Sequence, residues 1–200
     1  MANVNAVAGL SPVQYKNGAP WTGGGRVYYI ASSDTHAYAI GDPVTLSGNG
    51  DSNGVPAVTL ATAGATNVVL GSVLGSGGVT MGGAYTDPAN INSTIIPATK
   101  TKGYYILVAD DPNILFEVQE GGAGAALTSA SIGLNVNLLA GANSGFLSGW
   151  TFDNTTAAVG ATLQMQLLGL VLKPNNAFGQ YAKWLVRINN HQYAAGVAGV

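Results

Sequence analysis

From Arg26 onward the chain runs in short stretches of β-branched, aromatic and aliphatic residues, each closed by Gly, Asn, Asp or Pro. That punctuation leaves little room for helices, which need a longer uninterrupted stretch to bury one stripe. Strands are predicted at residues 26–31, 43–46, 57–61, 67–74, 103–109, 115–119, 134–139, 162–172 and 183–189. The clearest period of two is Thr162-Leu163-Gln164-Met165-Gln166-Leu167, which puts Leu163, Met165 and Leu167 on a core face and Thr162, Gln164 and Gln166 on a wet one. Leu134-Asn135-Val136-Asn137-Leu138 repeats it, as do Trp184, Val186 and Ile188 alternating with Lys183, Leu185 and Arg187. Asn17-Gly18, Asn49-Gly50 and Asn53-Gly54 supply positive-φ turns, and Asp42-Pro43, Asp87-Pro88 and Asp111-Pro112 supply tight turns or strand ends. The expected fold class is all-β: an antiparallel β-sandwich or barrel, with a jelly-roll arrangement among the options.

The organisation read from this pattern is an extended N-terminal arm over residues 1–25, a single β domain over 26–193 and a flexible small-residue tail over 194–200. The arm assignment rests on Pro12, Gly18, Pro20 and Gly23-Gly24-Gly25, which interrupt any regular element. Residues 75–97 read as a long excursion or loop. The competing helix is 157–172, rich in Ala, Leu and Gln, but Gly160 and Gly169 interrupt it. A single helical turn is open near residues 127–131.

Charge narrows the functions. Seven Lys and Arg and nine Asp and Glu make 8% of the 200 residues, for a formal net charge of −2, where about 25% is usual. Holding nucleic acid by its phosphates needs clustered cations, so no nucleic-acid partner is expected. Without cysteine there is neither a disulfide nor a thiolate nucleophile or ligand. The N-terminus lacks the basic and apolar regions of a signal peptide, and no apolar run is long enough for a transmembrane helix. The expectation is a soluble, cytoplasmically made protein with no membrane partner.

Catalytic chemistry finds few handles. His36 and His191 lie in unlike contexts, and no zinc-binding, nucleophile-elbow or phosphate-loop motif is present. Asp110, Asp111, Glu117 and Glu120 form the one acidic cluster, open to a hard cation or to acid–base pairing, though Asp111-Pro112 also reads as a plain turn with Glu117 on a strand's polar side. Gly48–Gly54 has one carboxylate, Asp51, and reads as a hairpin tip. Gly75-Ser76-Gly77-Gly78 and Gly121-Gly122-Ala123-Gly124 lack the following helix that an anion-binding loop requires. Tyr28, Tyr29, Tyr104, Tyr105 and Trp184 read either as a carbohydrate-stacking surface or as strand residues in a core. Asn92-Ser93-Thr94 and Asn154-Thr155-Thr156 match glycosylation sequons without a secretory context. No catalytic residue, cofactor or metal is assigned. So few charges leave Asn, Thr, Ser, Gly and Ala to form much of the outside, which suits a subunit embedded in an assembly.

Residues 106–120, Ile-Leu-Val-Ala-Asp-Asp-Pro-Asn-Ile-Leu-Phe-Glu-Val-Gln-Glu, resemble a segment of small structural proteins from tailed-bacteriophage heads. Ile132-Gly133-Leu134-Asn135-Val136-Asn137 and the closing stretches 170–176 and 181–189 strengthen the likeness, which spans roughly 26–193. The resemblance implies a head decoration, or cement, protein. Such a β-rich, non-enzymatic subunit sits on the capsid exterior, binds the major capsid protein and stabilises the lattice against packaged DNA. It further implies self-association as a dimer or trimer, through a strand edge or the 75–97 excursion, and an arm that orders on binding. The alternatives are a carbohydrate- or receptor-binding β domain of a tail, or a major capsid or tail subunit. The latter is disfavoured by the short chain and the missing long helix.

Overall fold

The computed structural model describes residues 3–75 and 96–194. It is all-β: β1 (Ser11–Tyr15), β2 (Arg26–Ile30), β3 (Pro43–Gly50), β4 (Pro56–Leu60), β5 (Gly71–Gly75), β6 (Tyr104–Ala109), β7 (Ile114–Gly121), β8 (Asn135–Leu139), β9 (Thr151–Ala158), β10 (Met165–Leu170) and β11 (Lys183–Ile188). One 3-10 turn, Ser129–Ser131, occupies the place where a helical turn was open, capped by Thr128.

The strands form two small barrels in series. β2-β4-β3-β5-β6 closes into the first. In the second, β7, β11, β10, β8 and β9 pair in that order and β9 returns to β7. A ring of five strands cannot alternate direction all the way round, so one neighbouring pair must run parallel. Each barrel has one such pair: β2–β4 at Tyr29 and Ala57, and β7–β9 at Glu120 with Phe152 and Gly121 with Asp153. The remaining pairs are antiparallel. Closure leaves few unpaired strand edges in either barrel.

Each barrel has its own core. Tyr28, Ile30, Val44, Val58, Ile106 and Val108 fill the first. Phe116, Val118, Met165, Leu167, Trp184 and Val186 fill the second, and Ala61, Val69 and Ala109 of the first barrel's chain pack against it. The period of two in β11 holds throughout: Trp184, Val186 and Ile188 are buried and their neighbours half-buried. Trp184, fully buried, meets Phe152 edge-on at 6.4 Å and Phe178 at 5.5 Å.

Three departures from the sequence reading have physical causes. First, the described residues of the expected extended arm, 3–25, do not stand apart from the barrels. β1 pairs with β7, Leu10 is fully buried, the Leu10 N–H donates to the Gly41 carbonyl at 2.9 Å, and Ser72 Oγ donates to the Leu10 carbonyl at 2.6 Å. Gly9 and Gly41 permit this crossing. Both have positive φ, and a Cβ on Gly9 would lie 2.3 Å from the Gly41 carbonyl oxygen. Second, β9 carries the polar run Thr151-Phe152-Asp153-Asn154, so it shows no apolar alternation. Residues 157–172 are not helical, as the favoured strand reading expected: β9 ends at Ala158, a turn follows, and β10 starts at Met165. Third, Gln164 is fully buried rather than wet. Its Oε1 accepts from Gly64 N and Leu138 N, and its Nε2 donates to the carbonyls of Thr62 and Asn67. One amide thereby does the work of a missing strand pair between the barrels. The expectations placed on the 75–97 excursion, on Asp87-Pro88 and on the 194–200 tail fall almost wholly outside the described residues.

Candidate functional site

The four carboxylates of the acidic cluster part company once β7 forms, because successive side chains point to opposite faces. Glu117 lies outside the barrel, bonded to Lys173 Nζ at 2.5 Å with Lys183 Nζ at 3.7 Å. Glu120 points inward. It is 2% exposed and accepts from Trp184 Nε1 (3.0 Å), Leu127 N (2.8 Å) and Asn154 Nδ2 (3.1 Å). This carboxylate ties β7, β9 and β11 together and stands where a core residue would. Asp111 caps its own turn, its Oδ1 accepting from Asn113 N at 2.8 Å and Asn113 Nδ2 at 3.0 Å. Among the described residues no group of three or more His, Asp or Glu is placed to hold a metal ion.

Asp110 sits where the two barrels join, at the foot of a cleft of about 610 Å³ lined by Tyr15, Arg26, Asp110, Asp111, Asn113 and Tyr193, among others. Tyr28 Oη donates to Asp110 Oδ2 at 2.6 Å, and Arg26 Nε lies 3.6 Å from the same oxygen. Burial, and then this bond to Asp110, pushes the Tyr28 hydroxyl well above its ordinary pKa, so it remains a donor. Tyr28 Oη is 3.3 Å from Tyr193 Oη. The Tyr193 N–H donates to His191 Nδ1 at 3.0 Å. Burial lowers the His191 pKa against the pull of Asp110, so the ring is neutral near pH 7.

His36 belongs to a different network. Lys100, its side chain wholly buried, donates from Nζ to Asp34 Oδ1 (3.1 Å) and to the carbonyls of Asp34 and His36 (2.7 Å each). Tyr38 Oη and Thr59 Oγ1 add bonds to Asp34 Oδ2. Burial works to raise the Asp34 pKa, but the His36 N–H, Thr59, Tyr38 and Lys100 together outweigh it and hold the carboxyl at about 2. The two histidines are therefore not brought together, and neither has a nucleophile aligned beside it. In the β3–β4 hairpin tip Asp51 Oδ1 accepts from Asn53 N and Val55 N, and Tyr105 Oη donates to Oδ2.

Of the aromatic side chains weighed as a stacking surface, Tyr28, Tyr104, Tyr105 and Trp184 are buried and Tyr29 packs on Tyr105 at 5.6 Å. Two other aromatic residues that border open space at the Asp110 cleft, Tyr15 and Tyr193, lie in the expected arm and at the end of the domain, where no strand pattern drew attention to them. Asn154 of the second sequon is buried and bonded to Glu120, Gly124 and Ala125. The other sequon lies outside the described residues.

The outer surface is almost free of charge. Among the described residues only Lys16, Arg26, Lys102, Lys173 and Asp111 are exposed charged side chains. Arg26 is engaged with Asp110, Lys173 with Glu117 and Asp111 with Asn113. No helix of the described residues is long and apolar enough to cross a membrane. No protein-family description, no curated protein and no solved structure matches this chain.

Proposed function

We propose that this chain is a virion structural subunit without catalytic activity, a decoration or cement protein that binds the major capsid protein on the exterior of a tailed-phage head. The observation that carries the reading is the charge-poor exterior on a doubly closed barrel scaffold. Interfaces are depleted in Lys, Glu and Asp at their centres, and here the few charges are spent on internal ties such as Asp34 with Lys100 and Glu117 with Lys173 and Lys183. The resemblance of residues 106–120, 132–137, 170–176 and 181–189 to phage head proteins supplies the partner. Two small barrels, each with its own core, offer a broad rigid body whose docking costs little ordering. A clamp that binds the assembled lattice better than free subunits shifts assembly toward intact shell by that difference in affinity.

The test is co-sedimentation of the purified protein with expanded heads lacking it, followed by thermal or osmotic challenge. Saturable binding at a fixed copy number per capsomer, with a higher disruption threshold, is the expected result. Absence of binding refutes the proposal.

A further inference from the structure

The cleft at the barrel junction brings charged and aromatic side chains together. Arg26 faces Asp110 and Asp111 in the cleft, and Lys16 lines a neighbouring hollow of about 360 Å³ that shares Tyr15, Asp111 and Asn113 with it, so across the two hollows two cations balance two carboxylates. A balanced site gives no net field to attract an ion. Its hydrogen-bonding groups are nonetheless open. Arg26, with 71% of its side chain exposed, approaches Asp110 through Nε, leaving its terminal amino groups as planar donors. Asp111 is exposed, and its turn bonds use only Oδ1.

The aromatic groups are held in advance. Tyr193, 47% exposed, is fixed through its N–H on His191 and its hydroxyl beside Tyr28. Tyr15 ends β1, and its side chain packs against the second core. Rings in place before binding lose little entropy when a ligand packs on them. Preset tyrosine faces, a planar cationic fork and carboxylate acceptors with no net charge match a neutral ring that carries hydroxyls on its rim and C–H bonds on its faces.

We propose that this cleft binds a neutral saccharide, its apolar face against Tyr193 or Tyr15 and its hydroxyls on Arg26, Asp110 and Asp111. The site is independent of capsid docking.

The test is an NMR titration of the full-length, isotope-labelled chain with the methyl glycosides of glucose, galactose, mannose and N-acetylglucosamine to tens of millimolar, with glycerol as an acyclic control. At least one glycoside is expected to give saturable shifts confined to Tyr15, Arg26, Asp110, Asp111, Asn113 and Tyr193, with a dissociation constant on the order of millimolar. Arg26→Ala and Tyr193→Ala truncate exposed side chains, so spectra elsewhere should be unchanged while binding weakens by about tenfold or more. Tyr193→Phe keeps the ring and should retain binding. No saturable shift with any of the four glycosides, the same shifts with glycerol, or binding that survives both alanine substitutions overturns the proposal.

Discussion

Single residues decide how this protein responds to acid, because two buried aspartates titrate in opposite senses. Asp34 is held at about 2 against an ordinary 3.8, so its ionised form stabilises the fold above the ordinary value. That contribution is lost as pH falls from about 4 toward 2. Asp34→Asn should flatten this acid limb in urea-unfolding curves taken across the range. Lys100→Met should cost about 3 kcal/mol at neutral pH, since it leaves a largely buried carboxylate without its cation, although the donors from His36, Tyr38 and Thr59 remain. Asp42 behaves conversely. It is 1% exposed, and burial raises its pKa although Ser148, the Ala39 N–H and Asn143 Nδ2 favour the ionised form. A raised carboxyl destabilises the native state progressively as pH climbs from the ordinary value through the folded one. Asp42→Asn should therefore leave the melting temperature at neutral pH equal or higher, and a clear fall there would contradict this account. Gln164→Leu strands Gly64 N and Leu138 N together with the Thr62 carbonyl, while the Asn67 carbonyl keeps Asn190 Nδ2, and should cost at least about 3 kcal/mol in the same unfolding assay.

At the scale of elements, β1 acts as part of the second barrel. β1 covers the edge of β7 from Ile114 to Glu117, immediately before β9 takes over the same edge at Glu120. Leu10 seals the space between Gly41, Ser72 and the second core. Deleting residues 1–25 should lower the unfolding midpoint markedly and raise dye binding to exposed apolar surface, rather than leave the domain intact. An unchanged midpoint would show that β1 is an accessory. The nine predicted strands each correspond to an observed strand, because period-two alternation is a local property of chains buried on one face. β1 and β9 escaped detection for different reasons. Pro12 and Gln14 break the pattern of β1, where the register also shifts. β9 buries Asn154, whose cost is offset by the Glu120 carboxylate from another strand, and no local window can show that.

For the molecule as a whole, the sparse exterior charge bears on docking. Contacts made without ion pairs are screened little by salt. If the protein is a head-binding subunit, its occupancy on heads should change by less than about threefold between low and high salt, measured by co-sedimentation. A steep salt dependence would point to an electrostatic contact through Lys16 or Lys102 instead.

The sequence by itself determined the all-β class, most strand positions, the turns at Asn53-Gly54 and Asp111-Pro112, and a charge-poor composition. All of these follow from local backbone preference and side-chain alternation. The tertiary structure alone decided that the strands close as two five-membered rings, that the four clustered acids serve three unrelated places, and that Tyr15, Arg26, Asp110 and Tyr193 meet at one cleft. The physical reason is ring closure. A β-strand sets the face of each side chain from its own sequence, but its neighbours are chosen by pairings between residues far apart in the chain, such as Glu120 with Phe152 and Tyr29 with Ala57.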